Sequence, residues 1–97
     1  MKASVCIGAY NGAPWIAEAV DSVLAQTERD FEVCVWDDGS TDDTGDAVRK
    51  LQALDRRIRL DGTKENRGIA RGMNGAASMA TADRIVFMGS DDILKPE

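Results

Sequence analysis

The chain has 97 residues, 43% of them hydrophobic and 30% charged, with a formal net charge of −5. This is enough for one small domain with an ordinary globular balance, burying about two thirds or less of its unfolded surface. The charge argues against nucleic acid, which selects basic surfaces, and the absence of histidine removes zinc–histidine sites, Ser-His-Asp triads and Cys-His nucleophiles.

Met1-Lys2 leads directly into a strand pattern, so no signal peptide is expected. Ala3 to Ile7 reads as a short buried strand ending at Gly8. Asn11-Gly12 is a turn signal and Pro14 suits a first helical turn. Ile16, Ala19, Val20, Val23 and Leu24 keep helical spacing, which predicts a helix from Trp15 to Gln26. Phe31 to Trp36 is a second strand, rich in β-branched and aromatic residues.

Asp37 to Asp43 then reads as a loop with several candidate helix caps. A second helix places Ala47, Val48, Leu51 and Leu54 on one side. Arg57 to Leu60 is a short edge strand closed by Asp61-Gly62. A third helix is expected over Gly68 to Ala80, with Ile69, Met73, Ala76, Ala77 and Ala80 inward. Its glycines, Gly72 and Gly75, each weaken it by about 1 kcal/mol relative to alanine. Arg84 to Met88 is the fourth strand, followed by Gly89-Ser90-Asp91-Asp92.

Cys6 and Cys34 lie in apolar strands and outside any CxxC pattern, which marks them as buried reduced thiols. No apolar run approaches the roughly 18–20 residues that span a bilayer. A cytoplasmic location is the expectation, with the inner membrane face as the alternative for a longer parent enzyme.

Alternating strands and helices imply an α/β three-layer sandwich with a mostly parallel sheet and right-handed crossovers. The simplest doubly wound strand order is 3-2-1-4. Ligands bind such sheets beyond the carboxyl ends of the strands where the winding reverses. Residues after strands 1, 2 and 4 therefore share one rim: Gly8, Ala9, Tyr10 and Asn11; Asp37 and Asp38; Ser90, Asp91 and Asp92. Four carboxylates there repel one another unless a neutral or positive group lies between them. Tyr10 offers an aromatic face for a flat base.

Taken singly, each signal has an ordinary reading. Asp37-Asp38-Gly39-Ser40-Thr41 suits a turn feeding a cap, and Asp91-Asp92 suits an N-cap. Tyr10 alone suits a wedge between helix and sheet. Asn66-Arg67-Gly68 starts a helix, with Arg67 and Arg71 solvated. Their convergence on one rim favours a ligand site.

Five motifs in order and spacing carry a resemblance: Ser4-Val5-Cys6-Ile7-Gly8-Ala9-Tyr10-Asn11, Ser22-Val23-Leu24-Ala25-Gln26-Thr27, Asp37-Asp38-Gly39-Ser40-Thr41-Asp42, Asn66-Arg67-Gly68 and Ser90-Asp91-Asp92. The chain resembles, over essentially its whole length, the opening half of family 2 glycosyltransferases, a Rossmann-like half-domain of the GT-A fold. The resemblance implies a nucleotide-diphospho-sugar donor, most often uridine-linked. It places Ala9, Tyr10, Asn11, Asp38, Asn66, Gly68, Ser90 and Asp91 at the nucleotide, with Asp38 accepting from the base imide N–H and Tyr10 against the base. Asp91 and Asp92 match the family's metal motif, where Mn²⁺ or Mg²⁺ bridges carboxylate and diphosphate.

Three departures stand out. Gly8-Ala9 replaces a Pro-Thr-like pair, Met73 replaces an arginine before Asn74, and Gly89 stands where an aspartate often opens the acidic motif. In the family the acceptor site and its Asp or Glu base follow the metal motif. Residues 1–97 are therefore expected to be a single truncated donor-binding domain with no catalytic base of its own, inactive alone.

The resulting expectation is the donor-binding region of an inverting, metal-dependent glycosyltransferase acting on a glycan or glycolipid hydroxyl. The alternative is a non-catalytic nucleotide-binding module. A phosphoacceptor receiver domain ranks behind both, because its acidic pair follows the first strand, where this chain has Gly8-Ala9-Tyr10. The apolar run Ile85-Val86-Phe87-Met88 on an outer strand further predicts self-association through residues 84–88.

Overall fold

A computed structural model of the chain describes residues 3–25 and 30–89. Strands and helices alternate in the order β1 (Ala3–Ala9), α1 (Ala13–Leu24), β2 (Phe31–Asp38), α2 (Thr44–Gln52), β3 (Ile58–Thr63), α3 (Ile69–Met79) and β4 (Arg84–Gly89). All pairings are parallel and the sheet order is β3-β2-β1-β4, the order expected from the alternation.

The strand period of two sorts side chains onto two faces. Val5, Ile7 and Ala9 of β1, with Val33 and Val35 of β2, pack against Ile16, Ala19, Val20 and Val23 of α1 and Val48 of α2. Burying each of the larger side chains contributes about 1.5–3 kcal/mol. On the other face Cys6 and Cys34 meet Ala76 of α3, flanked by Trp36, Met79 and Ala80. Both cysteines are free and buried, and they are register partners. Burial pushes both thiols up, Cys34 to about 12, so they remain protonated.

Gly75 explains how closely α3 lies on the sheet. A Cβ there would fall 2.3 Å from the Trp36 ring, so this glycine is kept for contact despite its cost to the helix. Gly72 meets only ordinary spacing, 3.6 Å from the Cβ of Asp38.

The amino ends of the strands are tied by a polar network around Glu32, which is 1% exposed. Its Oε2 accepts from the Ser4 hydroxyl at 2.6 Å, the Thr81 N–H at 2.7 Å and the Thr81 hydroxyl at 2.8 Å. Its Oε1 accepts from Arg59 at 3.1 Å, and Arg59 also donates to the Met79 carbonyl. Burial alone would raise the Glu32 carboxyl. The bonds from Ser4, Thr81 and Arg59 outweigh it and hold the group at about 2.

Element boundaries differ from the sequence reading in informative ways. β1 continues past Ile7 to Ala9, and β2 continues past Trp36, so Asp37 and Asp38 are strand residues and not a loop. Pairing of Asp37 with Ala9 and Gly62, and of Asp38 with Thr63, supplies their backbone partners. Likewise Asp61-Gly62 lies inside β3 and does not close it. Leu54 falls beyond the end of α2 and is 85% exposed, not part of its apolar side. α1 begins earlier than expected, at Ala13, and α3 spans Ile69–Met79 with Gly68 as its N-cap.

β4 is buried on one face only. Met88 is in the core, whereas Ile85 and Phe87, on the α3 face, are 41% and 53% exposed.

Candidate functional site

Two loops clasp each other at the carboxyl end of the sheet. Asn11, at φ 50°, accepts through Oδ1 from the Thr41 N–H at 2.8 Å, the Thr41 hydroxyl at 3.3 Å and the Asp42 N–H at 3.3 Å. In return the N–H groups of Asn11, Gly12 and Ala13 donate to the Ser40 hydroxyl (3.0 Å), the Thr44 hydroxyl (2.9 Å) and Asp42 Oδ2 (3.3 Å). These contacts occupy donors at the start of α1 that the helix leaves unused.

Asp42 is held below the ordinary carboxylate range, chiefly by the Thr44 hydroxyl. It also accepts from the Thr44 N–H at 2.9 Å. Asp37 Oδ1 accepts from the Ser40 N–H at 3.0 Å. Most of the Asp37-Asp38-Gly39-Ser40-Thr41-Asp42 motif is thus committed to building the rim.

Asp38 is the exception. As neighbours on a strand, Asp37 and Asp38 project to opposite faces, and Asp38 lies on the α3 side. It is 3% exposed. Its Oδ2 accepts from the N–H groups of Arg67 and Gly68, both at 3.0 Å. Its Oδ1 is buried and has no hydrogen-bond partner among the described residues. An unsatisfied buried acceptor costs about 1–3 kcal/mol, and a donor from a ligand would offset that cost.

Gly39 makes this geometry possible. At φ 73°, it brings the loop after β2 against the backbone of the Glu65–Asn66 segment, where a Cβ would lie 2.5 Å from Glu65. That segment delivers the Arg67 and Gly68 N–H groups to Asp38. Arg67 is exposed, as its place at a helix start suggests, and it is its backbone N–H that reaches Asp38.

The other sequence-predicted residues are placed as follows. Tyr10 is 46% exposed, and it follows Ala9, the register partner of Asp37. Ala9 has its side chain in the core, so only its backbone reaches the rim. Asn66 Oδ1 accepts from the Gly68 N–H at 2.9 Å, fixing the turn before α3. Ser90, Asp91 and Asp92 lie outside the described residues. Among the described residues no group of three or more His, Cys, Asp or Glu is arranged to hold a metal. An open cleft of about 470 Å³ lies on the opposite side of the sheet, between α2 and the end of β3 and lined by Asp37, Arg49, Asp61 and Lys64 among others. It does not include Asp38.

A family model for Glycosyl transferase family 2 matches residues 4–97. The chain belongs to glycosyl transferase family 2. The chondroitin synthase of Pasteurella multocida (strain Pm70) is 45% identical over 94 residues, covering 97% of this chain and 10% of that protein. An uncharacterized glycosyltransferase of Nostoc sp. is 39% identical over 98 residues, covering 99% and 30%.

Among solved structures, S. aureus TarS 1-349 in complex with UDP superposes with a TM-score of 0.87 at 32% identity, covering 96% of this chain and 28% of that one. The mannosyltransferase PcManGT from Pyrobaculum calidifontis, in complex with GDP-Man and Mn2+, gives 0.87 at 34%, covering 95% and 28%. The chain spans about a tenth to a third of the length of the curated relatives it matches.

Proposed function

We propose that this family 2 chain is the donor-binding region of an enzyme that transfers sugar from a uridine-diphospho-sugar to a hydroxyl of a glycan or glycolipid. The observation that carries the uridine reading is Asp38 Oδ1, a buried carboxylate oxygen at the switch point of the sheet with no donor among the described residues. Uracil presents an imide N–H that suits such an acceptor, whereas cytosine does not. Tyr10, half-exposed and next in the chain to the register partner of Asp37, would supply a flat apolar surface for the base. UDP in one structural neighbour and UDP-GlcNAc in a second TarS complex support the same ligand class.

Asp91 and Asp92 are proposed as ligands for Mn²⁺ or Mg²⁺. Adjacent carboxylates are hard oxygen donors suited to these ions, and β4 carries the chain to the rim at Gly89, the register partner of Gly8. A bound ion would neutralise charge on the diphosphate as the leaving group departs. In the inverting transfer proposed, the acceptor oxygen bonds to the anomeric carbon as the carbon–phosphate-oxygen bond breaks, and a base outside these residues takes the hydroxyl proton. We place this chemistry on the cytoplasmic side.

We also propose that isolated copies pair through β4. Antiparallel pairing centred on Val86 would set Ile85 of one copy against Phe87 of the other, an aromatic–β-branched contact that covers two exposed side chains. Sedimentation showing a concentration-independent monomer would rule this out.

The donor reading is tested by calorimetry of the chain with UDP, UTP-free and in excess Mn²⁺, against CDP as control. Metal-dependent binding of UDP with a clear preference over CDP is the expected result. Equal affinity for both nucleotides, or binding unchanged by a chelator, would remove respectively the Asp38 and the metal assignments.

A further inference from the structure

Gly8 and Met73 meet at the centre of the rim. Gly8 ends the α3-facing row of β1, with Trp36 of β2 and Gly89 of β4 as register partners. A Cβ on Gly8 would lie 3.0 Å from the Met73 sulfur and 3.4 Å from the α3 backbone at Gly72 and Met73. Gly8 does not have a positive φ, so space and not backbone conformation is what the glycine provides. The preceding residue, Gly72, rests on Asp38, its Cβ position 3.6 Å from that of Asp38. One turn of α3 therefore covers both the orphaned carboxylate and the end of β1, and Met73 is only partly buried there.

We propose that Met73, seated over Gly8, is a specificity-determining residue of the donor site, forming an apolar floor whose depth the two residues set jointly. The proposal rests on the nucleotide reading of Asp38. A thioether is polarizable, adaptable and favourable against flat rings, and it neither donates a hydrogen bond nor carries charge. Polar selection at this part of the crevice then falls to Asp38, while Met73 limits what fits beside it. A side chain added at position 8 has one easy outlet, because the helix backbone cannot yield as readily as the end of Met73. It would push the sulfur out of its seat and alter the floor.

The test is UDP affinity in excess Mn²⁺ for the chain and four variants, each checked by thermal unfolding. Met73→Ala should raise Kd by about fivefold, and Met73→Leu, close in volume, should stay within about twofold. Gly8→Ala should raise Kd by about tenfold, and adding Met73→Ala should bring it back to the value of Met73→Ala alone, a coupling that independent sites do not show. A purely structural role would shift unfolding temperature without this rescue. Unchanged Kd in Met73→Ala, or additive effects in the double variant, would overturn the proposal while leaving the nucleotide reading intact. No UDP binding by the unaltered chain would overturn both.

Discussion

Glu32 and Asp38 stand on the same face of β2, at its two ends, and both are almost wholly buried. Every acceptor direction that matters at Glu32 is used: Ser4, Thr81 and Arg59 converge on it from β1, the segment before β4, and β3. Asp38 is supported on one oxygen by two backbone donors and, among the described residues, left bare on the other. A satisfied buried carboxylate fastens a fold. A half-satisfied one leaves an acceptor that a donor from outside the chain could fill, and low dielectric surroundings make both conditions matter more than they would in water.

The largest effect expected from this contrast is on stability at the Glu32 end. Glu32→Gln keeps the shape but removes the charge facing Arg59 and replaces one acceptor oxygen by a donor group. Urea unfolding should show a loss of about 3 kcal/mol, with UDP affinity within about twofold of the unaltered chain. A loss below about 1 kcal/mol would mean that the network is mere packing.

Acid should reach the same group. The Glu32 carboxyl, held at about 2 in the folded chain against an ordinary 4.5, contributes stability that is fully present above about 4.5. That contribution is lost as pH falls through about 2, and its total is about 3 kcal/mol. Unfolding free energy measured from pH 5 to pH 2 should therefore fall, and the Glu32→Gln chain should fall less steeply. Parallel curves for the two chains would assign the acid sensitivity elsewhere.

At the other end the prediction reverses. Asp38→Asn can keep its bonds to the Arg67 and Gly68 N–H groups through the amide oxygen, while its NH₂ group would face the donor of the base. UDP affinity should drop by about tenfold to a hundredfold, about 1.4–2.8 kcal/mol, with stability changed by less than about 1 kcal/mol. Asp42→Asn should do the opposite, lowering the unfolding midpoint slightly and leaving affinity nearly unchanged, because Asp42 serves Thr44 and Ala13. Equal affinities in the two variants would reduce the motif to a turn.

The smallest effect sharpens the picture of the lid over Asp38. Gly72→Ala adds a Cβ at ordinary distance from Asp38 and should stabilise the chain by about 0.5–1 kcal/mol through helix propensity. A destabilised variant would show that the pocket beside Asp38 is tighter than its static spacing.

Periodicity and residue type determined the order of elements, the parallel sheet and its 3-2-1-4 winding, because a strand buried on both faces and a helix with one apolar stripe leave few ways to pack. The motif residues marked the rim for the same reason: that winding brings the ends of β1, β2 and β4 together. The division of labour within the motif was not legible. Asp37 and Asp38 are the same residue type in adjacent positions, and only the extension of β2 through both sends one toward Ser40 and the other under α3. Nor did Glu32 stand out, since its four partners come from Ser4, Arg59 and Thr81, far apart in the chain. The pairing of Gly8 with Met73 depends likewise on how near α3 lies to the sheet, a distance fixed by Gly75 against Trp36. Local sequence specifies which elements form. Which carboxylate is satisfied and which is left open is decided by long-range donors that only the folded chain assembles.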